Sequence, residues 1–178
     1  MLLNPSQYEE YGLDPADKAL PRKLRSVESR IRAHTNNPFQ VRAIRVEAAV
    51  RNGLLLDVHQ HMKVGDTVQI SASDVNDGLY VIEEIDRDAR TAKFDKVLFD
   101  SDFNRATLVR YPEDVIEGAV GILEYEASRP VKKAGVASES LSRHSVSYDT
   151  SGNAQSGLFA GYPLRVTGFM KPYMRPWF

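Results

Sequence analysis

Hydrophobic positions change their period several times along this chain. Leu20, Leu24, Val27 and Ile31 recur at spacings of four, three and four, which puts them on one stripe of a helix. Pro21 suits the first helical turn, where a missing N–H costs nothing. Asn36-Asn37-Pro38 ends that helix, because the residue before a proline is driven out of helical geometry. Upstream, Ser6 to Tyr11 predicts a short helix stopped by Gly12. From about residue 39 to residue 111 the period is two. The alternation predicts strands at Val41–Val50, Leu54–Val58, Thr67–Ala72, Leu79–Ile85, Thr91–Lys96 and Ala106–Arg110. Between them lie Asn52-Gly53, Val64-Gly65-Asp66, Asn76-Asp77-Gly78 and Asp88-Ala89-Arg90, several of which supply the positive φ angles that tight hairpins require. Six short strands at this spacing describe an antiparallel barrel or sandwich.

The helical period returns at Pro112-Glu113-Asp114. Proline and two carboxylates suit the positive end of a helix, and Val115, Ile116, Ala119, Val120, Ile122, Leu123 and Ala127 give it a broad apolar face. Glu124 and Glu126 stand at its negative end, where the dipole disfavours them, so a cation is expected nearby from Arg129, Lys132 or Lys133. Arg129-Pro130 closes the helix. A serine- and glycine-rich stretch follows, "KKAGVASESLSRHSVSYDTSGNAQSG", in which Ser145-Val146-Ser147-Tyr148 alternates like a strand. Pro163 to Met170 predicts a last short helix, with Leu164, Val166, Phe169 and Met170 as its apolar positions. The chain then runs out through Tyr173 to Trp177-Phe178, an aromatic end that wants burial where termini are normally polar.

Composition narrows the options. The 178 residues suffice for one ordinary domain or two small ones. A hydrophobic fraction of 42% and a charged fraction of 26% are those of a folded protein. There is no cysteine, hence no disulfide framework and no thiolate metal site. The N-terminus lacks the basic start and apolar core of a signal peptide, and no apolar run approaches the ~20 residues that span a bilayer. The expectation is a soluble protein made inside the cell, with no membrane partner. The net charge of −1 conceals an asymmetry: residues 113–127 carry five acidic and no basic side chains, whereas residues 128–178 carry seven basic and two acidic. Opposed segments of this kind are expected to meet, within one subunit or between neighbours.

Candidate chemistry is sparse. Asp100-Ser101-Asp102-Phe103-Asn104 begins with the spacing of a calcium loop, but Arg105 stands where glycine belongs and Tyr111 where glutamate belongs. A polar loop ahead of a strand is the expectation there. His59-Gln60-His61 offers two imidazoles and no third ligand. His144, Ser145 and Asp149 are residue types of acyl transfer without a nucleophile elbow or an oxyanion-hole glycine motif. No phosphate-binding or dinucleotide loop is present. The reading is therefore a non-enzyme without cofactor or metal. Small barrels often bind nucleic acid, so Tyr80, Phe94, Phe99 and Phe103 are candidate stacking residues for an alternative function.

Three segments carry a family likeness: "NPSQYEEYGL", "SRPVKKAGVASESLSRHSVSY" and "GYPLRVTGFMKPYMRPWF". With Ser138-Glu139-Ser140, Ser145-Val146-Ser147-Tyr148 and Lys171-Pro172-Tyr173 in this order, the chain resembles the head–tail connector (adaptor) proteins of long-tailed bacteriophages. The likeness covers residues 1–36 and 113–178. It implies an α+β protein: a small helical connector domain (1–36 and 113–178) with an arm (128–160) and a C-terminal tail. Residues 37–112 are a β-domain inserted into it, and the family pattern says nothing of that insert. The implied role is structural, in the virion neck after assembly in the host cytoplasm. A ring of about twelve copies would continue the DNA channel between the portal and the stopper or tail-completion protein, without sequence-specific DNA contact. Glu124, Glu126, Lys132, Lys133, Ser138, Ser145, Val146, Ser147 and Tyr148 would then lie between subunits, the arm adding strands to a neighbour. Lys171, Tyr173, Arg175, Trp177 and Phe178 would dock on the portal, with the aromatic residues as anchors.

Overall fold

The computed structural model describes residues 1–128, 138–141, 144–147, 158–159 and 162–176. It is a mixed α+β structure with two hydrophobic cores. Helix α1 (Leu20–Thr35) buries Leu24, Val27 and Ile31 completely, as the stripe requires. Asp17 takes the Ala19 N–H at 2.8 Å ahead of its first turn, and Asn36 ends it in the left-handed region at φ 48°. The segment before α1 forms two short 3-10 turns, Pro5–Gln7 and Glu9–Tyr11, where a single short helix was expected. Gly12 terminates them at φ 67°, a conformation glycine adopts without steric cost.

Six antiparallel strands follow: β1 (Gln40–Arg51), β2 (Leu54–Leu55), β3 (Thr67–Ser71), β4 (Gly78–Asp86), β5 (Thr91–Phe94) and β6 (Ser101–Val109). Their pairing order is β1-β2-β5-β4-β3-β6, and β6 returns to β1, which closes a barrel. Asn52-Gly53 makes the β1–β2 turn with φ 53° and 77°, the positive pair that two-residue hairpins need. Val50, Leu55, Met62, Val68, Ile70, Ile82, Ala106 and Leu108 fill the interior.

Two strand boundaries differ from the alternation by three residues or more. The predicted Leu54–Val58 strand stops at Leu55, because Asp57 turns the chain at φ 55°. Val58 still reaches the barrel core. Strand β6 begins at Ser101, five residues before the expected Ala106, so the polar stretch is strand and not loop. Its first residues pair with β1 (Val50↔Ser101, Ala48↔Asn104), and register supplies what apolar alternation did not. In β6 the successive residues Ala106, Thr107, Leu108 and Val109 are all buried, since both faces are covered.

Helix α2 (Glu113–Ser128) packs on α1 and buries Val115, Ile116, Ala119, Val120, Ile122 and Leu123. Ala127, expected on that face, is exposed in the last turn. Beyond α2, β7 (Ser138–Leu141) pairs with β8 (His144–Ser147) in a separate antiparallel sheet, in register Ser138↔Ser147 to Leu141↔His144. Strands β9 (Leu158–Phe159) and β10 (Tyr162–Pro163) pair likewise. The last predicted helix splits into α3 (Leu164–Thr167) and a 3-10 segment, Gly168–Tyr173, that buries Met170. The second core unites both ends of the described chain: Leu2, Leu3 and Tyr8, the α1 and α2 stripes, Tyr162 and Met170, joined to the barrel through Phe39 and Val109.

Candidate interaction surfaces

The C-terminal segment is tied to its own helices at several points. The Tyr173 hydroxyl donates to Asp114, 2.7 and 2.8 Å from its two carboxylate oxygens. Its ring lies 5.8 Å from that of Phe39. Asn37 Nδ2 donates to the Tyr173 carbonyl at 3.1 Å, the Arg175 N–H to Thr35 O at 2.8 Å, and Asn36 Nδ2 to Pro176 O at 2.8 Å. The tail thereby docks on the end of α1: the Arg175 N–H satisfies the Thr35 carbonyl, while the N–H groups of Asn36 and Asn37 close back onto Ala33 and Arg32. The bond to Asp114 raises the Tyr173 phenol above its ordinary pKa. Of the residues expected at a portal, Tyr173 is thus half-buried and engaged within its own chain, and Lys171 and Arg175 are exposed. Trp177 and Phe178 lie outside the described residues.

The acidic helix α2 finds its partners in an unexpected place. Arg30 Nη1, on α1, stands 3.0 Å from Glu126 Oε1, and the Tyr162 hydroxyl donates to the same oxygen. The Arg30 guanidinium also lies 5.7 Å from the Tyr162 ring centre. Among the described residues the cation for the negative end of α2 comes from α1, and Glu124 is exposed; the expected Arg129 lies outside the described residues. At the other end of the helix Tyr11 donates to Glu113, a bond that is the main cause of its phenol being pushed up to about 12. Three carboxylates of the acidic segment, Glu113, Asp114 and Glu126, each receive a tyrosine hydroxyl from a distant part of the chain. Nothing in local sequence signals those pairings. Lys132, Lys133 and Tyr148 lie outside the described residues. Ser138 is on β7, and Ser145, Val146 and Ser147 are on β8, paired within one chain.

One buried carboxylate lies on the apolar stripe of α1, although Glu28 is expected with the charged residues that cover the other faces of that helix. Glu28 is four residues after Leu24 and three before Ile31, on the same stripe, and it is 3% exposed. The Tyr111 hydroxyl donates to it at 2.7 Å, and the Met1 amine stands 3.3 Å away. Arg32 bridges to the barrel, donating to Pro38 O at 2.8 Å and Gln69 Oε1 at 2.7 Å. A buried charge persists only with such partners. Burial raises the Tyr111 phenol far above the ordinary tyrosine range, with Glu28 adding to the effect. Burial lowers the Met1 amine, against the opposing pull of Glu28. A cavity of about 290 Å³ opens beside this cluster between α1 and β4, lined by Arg25, Ser29, Tyr80 and Lys96 among others.

On the barrel, the residues of the calcium-like stretch serve other ends. Asp102 pairs with Arg51, and Asn104 is fully buried, donating to Ala48 O at 3.1 Å and accepting from Asn76 at 3.1 Å. Asn76 also ties the β3–β4 loop to Phe99, with bonds of 2.8 Å to its carbonyl and from its N–H. The His59 and His61 rings lie 5.4 Å apart, and among the described residues no group of three or more ligands could hold a metal. Among the described residues no helix is long and apolar enough to cross a membrane. Tyr80 and Phe94 belong to the barrel core, whereas Phe99 and Phe103 are exposed. No family model matches this chain, and no curated protein matches it.

Proposed function

We propose that this protein is a structural component of a phage neck, an oligomeric adaptor ring between portal and tail whose helical part carries the contacts and whose barrel is an insert. The observation that carries the reading is the organisation of the two cores. Residues from both ends of the chain build one helical core, and the barrel between Gln40 and Val109 has a core of its own. The strand ends Gln40 and Val109 pair with each other, so the barrel enters and leaves the helical core at one point, as an inserted unit does. That arrangement matches the family likeness, which lies in residues 1–36 and 113–178.

The β7–β8 pair supports the arm's role. A two-stranded hairpin is marginal alone in water, and strand addition from a neighbouring copy would complete it. Portal docking falls on the residues after Tyr173, since Tyr173 itself is spoken for by Asp114. Concentrated protein, alone and mixed with a portal protein of a long-tailed phage, should give rings by negative-stain electron microscopy. Trp177→Ala with Phe178→Ala should abolish portal binding and leave the melting temperature unchanged. Wild-type protein that neither forms rings nor binds the portal would refute the reading.

A further inference from the structure

The exposed apolar residues of this molecule are not scattered. Among the described residues the large ones are Val64, Val75, Val97, Phe99, Phe103, Leu164 and Met174. Four of them, Val75, Val97, Phe99 and Phe103, occupy one end of the barrel, on the β3–β4 loop, the β5–β6 loop and the start of β6. Val97 is 79% exposed and Phe99 63%. Single exposed apolar residues are ordinary; a cluster marks an interaction surface. The cluster is also built. Asn76, itself fully buried, holds Phe99 by both backbone groups, and the Arg105 guanidinium lies 6.0 Å from the Phe103 ring centre. Exposed aromatic groups already held in place lose little freedom on binding. Around them stand the exposed carboxylates Asp74 and Asp100, and Asp102 paired with Arg51.

We infer that this acidic apolar tip docks on the C-terminal segment of a second copy, around Leu164, Arg165 and Lys171. That segment has the complementary character. Leu164 is 40% exposed, Arg165 and Lys171 are exposed, and residues 128–178 as a whole carry seven basic against two acidic side chains. A tip cannot reach the segment of its own chain. The C-terminal segment packs by Tyr173 on Phe39, one residue before β1 begins, whereas the tip flanks the far end of that strand, where Val50 pairs with Ser101. Ten residues of β1 separate the two ends, on the order of 30 Å of extended strand. Two different surfaces on one chain make a head-to-tail contact, which closes into a ring or runs on as a filament. The inference rests on the oligomeric part of the proposed function and is independent of the portal. Nucleic acid is the poorer occupant, because the carboxylates around the tip repel phosphate and the flanking Arg51 and Arg105 are paired with Asp102 and Glu47.

Sedimentation velocity over a concentration series tests this with two variants. Phe99→Asp with Phe103→Ser disables the tip; Arg165→Glu with Lys171→Glu disables the segment. All four side chains are solvent-facing or half-exposed, and equal thermal melts verify folding. Each variant alone should associate at least about tenfold more weakly than wild type, as loss of aromatic anchors or of complementary charge predicts. Mixed, they should form a one-to-one dimer and nothing larger, since only one intact pair of surfaces remains. Tip and segment variants that assemble like wild type would overturn the contact while leaving a ring intact. A wild type that stays monomeric throughout, or a mixture without dimer, would overturn it as well. Binding of a labelled single-stranded oligonucleotide that the tip variant loses would reassign the surface to nucleic acid.

Discussion

A Cβ placed on Gly118 meets the Phe169 ring 2.3 Å from Cδ1, 2.4 Å from Cε1 and 2.6 Å from Cγ. Carbon atoms make favourable contact near ~3.5–4 Å, so in Gly118→Ala either the ring leaves α2 or the helix shifts. Gly121, one turn later on the same helix, has nothing within 4 Å of its own hypothetical Cβ. Gly121→Ala therefore reads helix propensity alone and should stabilise by roughly 0.5–1 kcal/mol. Gly118→Ala carries the same gain, opposed by an overpacking cost of ~1–3 kcal/mol. The two variants should differ by that cost, a gap in melting temperature of roughly 2–12 °C for a chain of this length. Phe169→Ala removes the obstacle, and Gly118→Ala in that background should recover its propensity gain. The resulting double-mutant cycle should show a coupling of ~1–3 kcal/mol. Urea melts of the four variants and wild type measure the energies, and amide exchange over residues 164–173 reports whether the C-terminal segment is released. Gly118→Ala as stabilising as Gly121→Ala, or an additive cycle, would refute the packing of that segment on α2.

The other expectations concern buried polar groups. The folded state keeps the Tyr111 proton to higher pH than the unfolded chain, whose tyrosines titrate near ~10. Stability from this group is complete below about pH 10 and falls above it by up to ~1.4 kcal/mol per pH unit. Tyr111→Phe should flatten the loss of stability above pH ~10 by about one proton, measured by denaturant melts; an unchanged slope rejects the shift. Asn76→Ala strips four hydrogen bonds to Phe99, Ser101 and Asn104 and should cost at least about 2 kcal/mol. A loss under ~0.5 kcal/mol would mean the network is dispensable. Arg30 and Glu126 are 42% and 36% exposed at the side chain, so Arg30→Ala should cost less than about 1 kcal/mol and less again in high salt. A loss of ~3 kcal/mol, insensitive to salt, would show that the pair is shielded from solvent.

Much of the local structure is legible because it depends on neighbours a few residues away. The spacing of Leu20, Leu24, Val27 and Ile31 sets the inner face of α1, and it implicates Glu28 as well, since three- and four-residue steps define one stripe. Asn52-Gly53 fixes a turn by its own steric freedom. The six alternating segments locate the six barrel strands to within a few residues, except where tertiary register overrides pattern. Strand β6 extends back through Asp102 and Asn104 because β1 offers it partners there. Strand β2 is cut short where Asp57 turns the chain.

Helices α1 and α2, the six alternating segments between them and the opposed charge of the segments after residue 112 are legible in the residues alone. Strand order, with β2 beside β5 and β3 beside β6, and the use of Arg30 and three tyrosines to satisfy the acidic helix are set by the tertiary structure. It alone gathered Val75, Phe99 and Phe103 at one barrel end and placed the C-terminal segment at the other. The reason is range. Periodicity and turn chemistry are written in steps of two to four residues, whereas a strand's partner or a carboxylate's hydroxyl is chosen by chain closure between residues far apart, to which local pattern is blind.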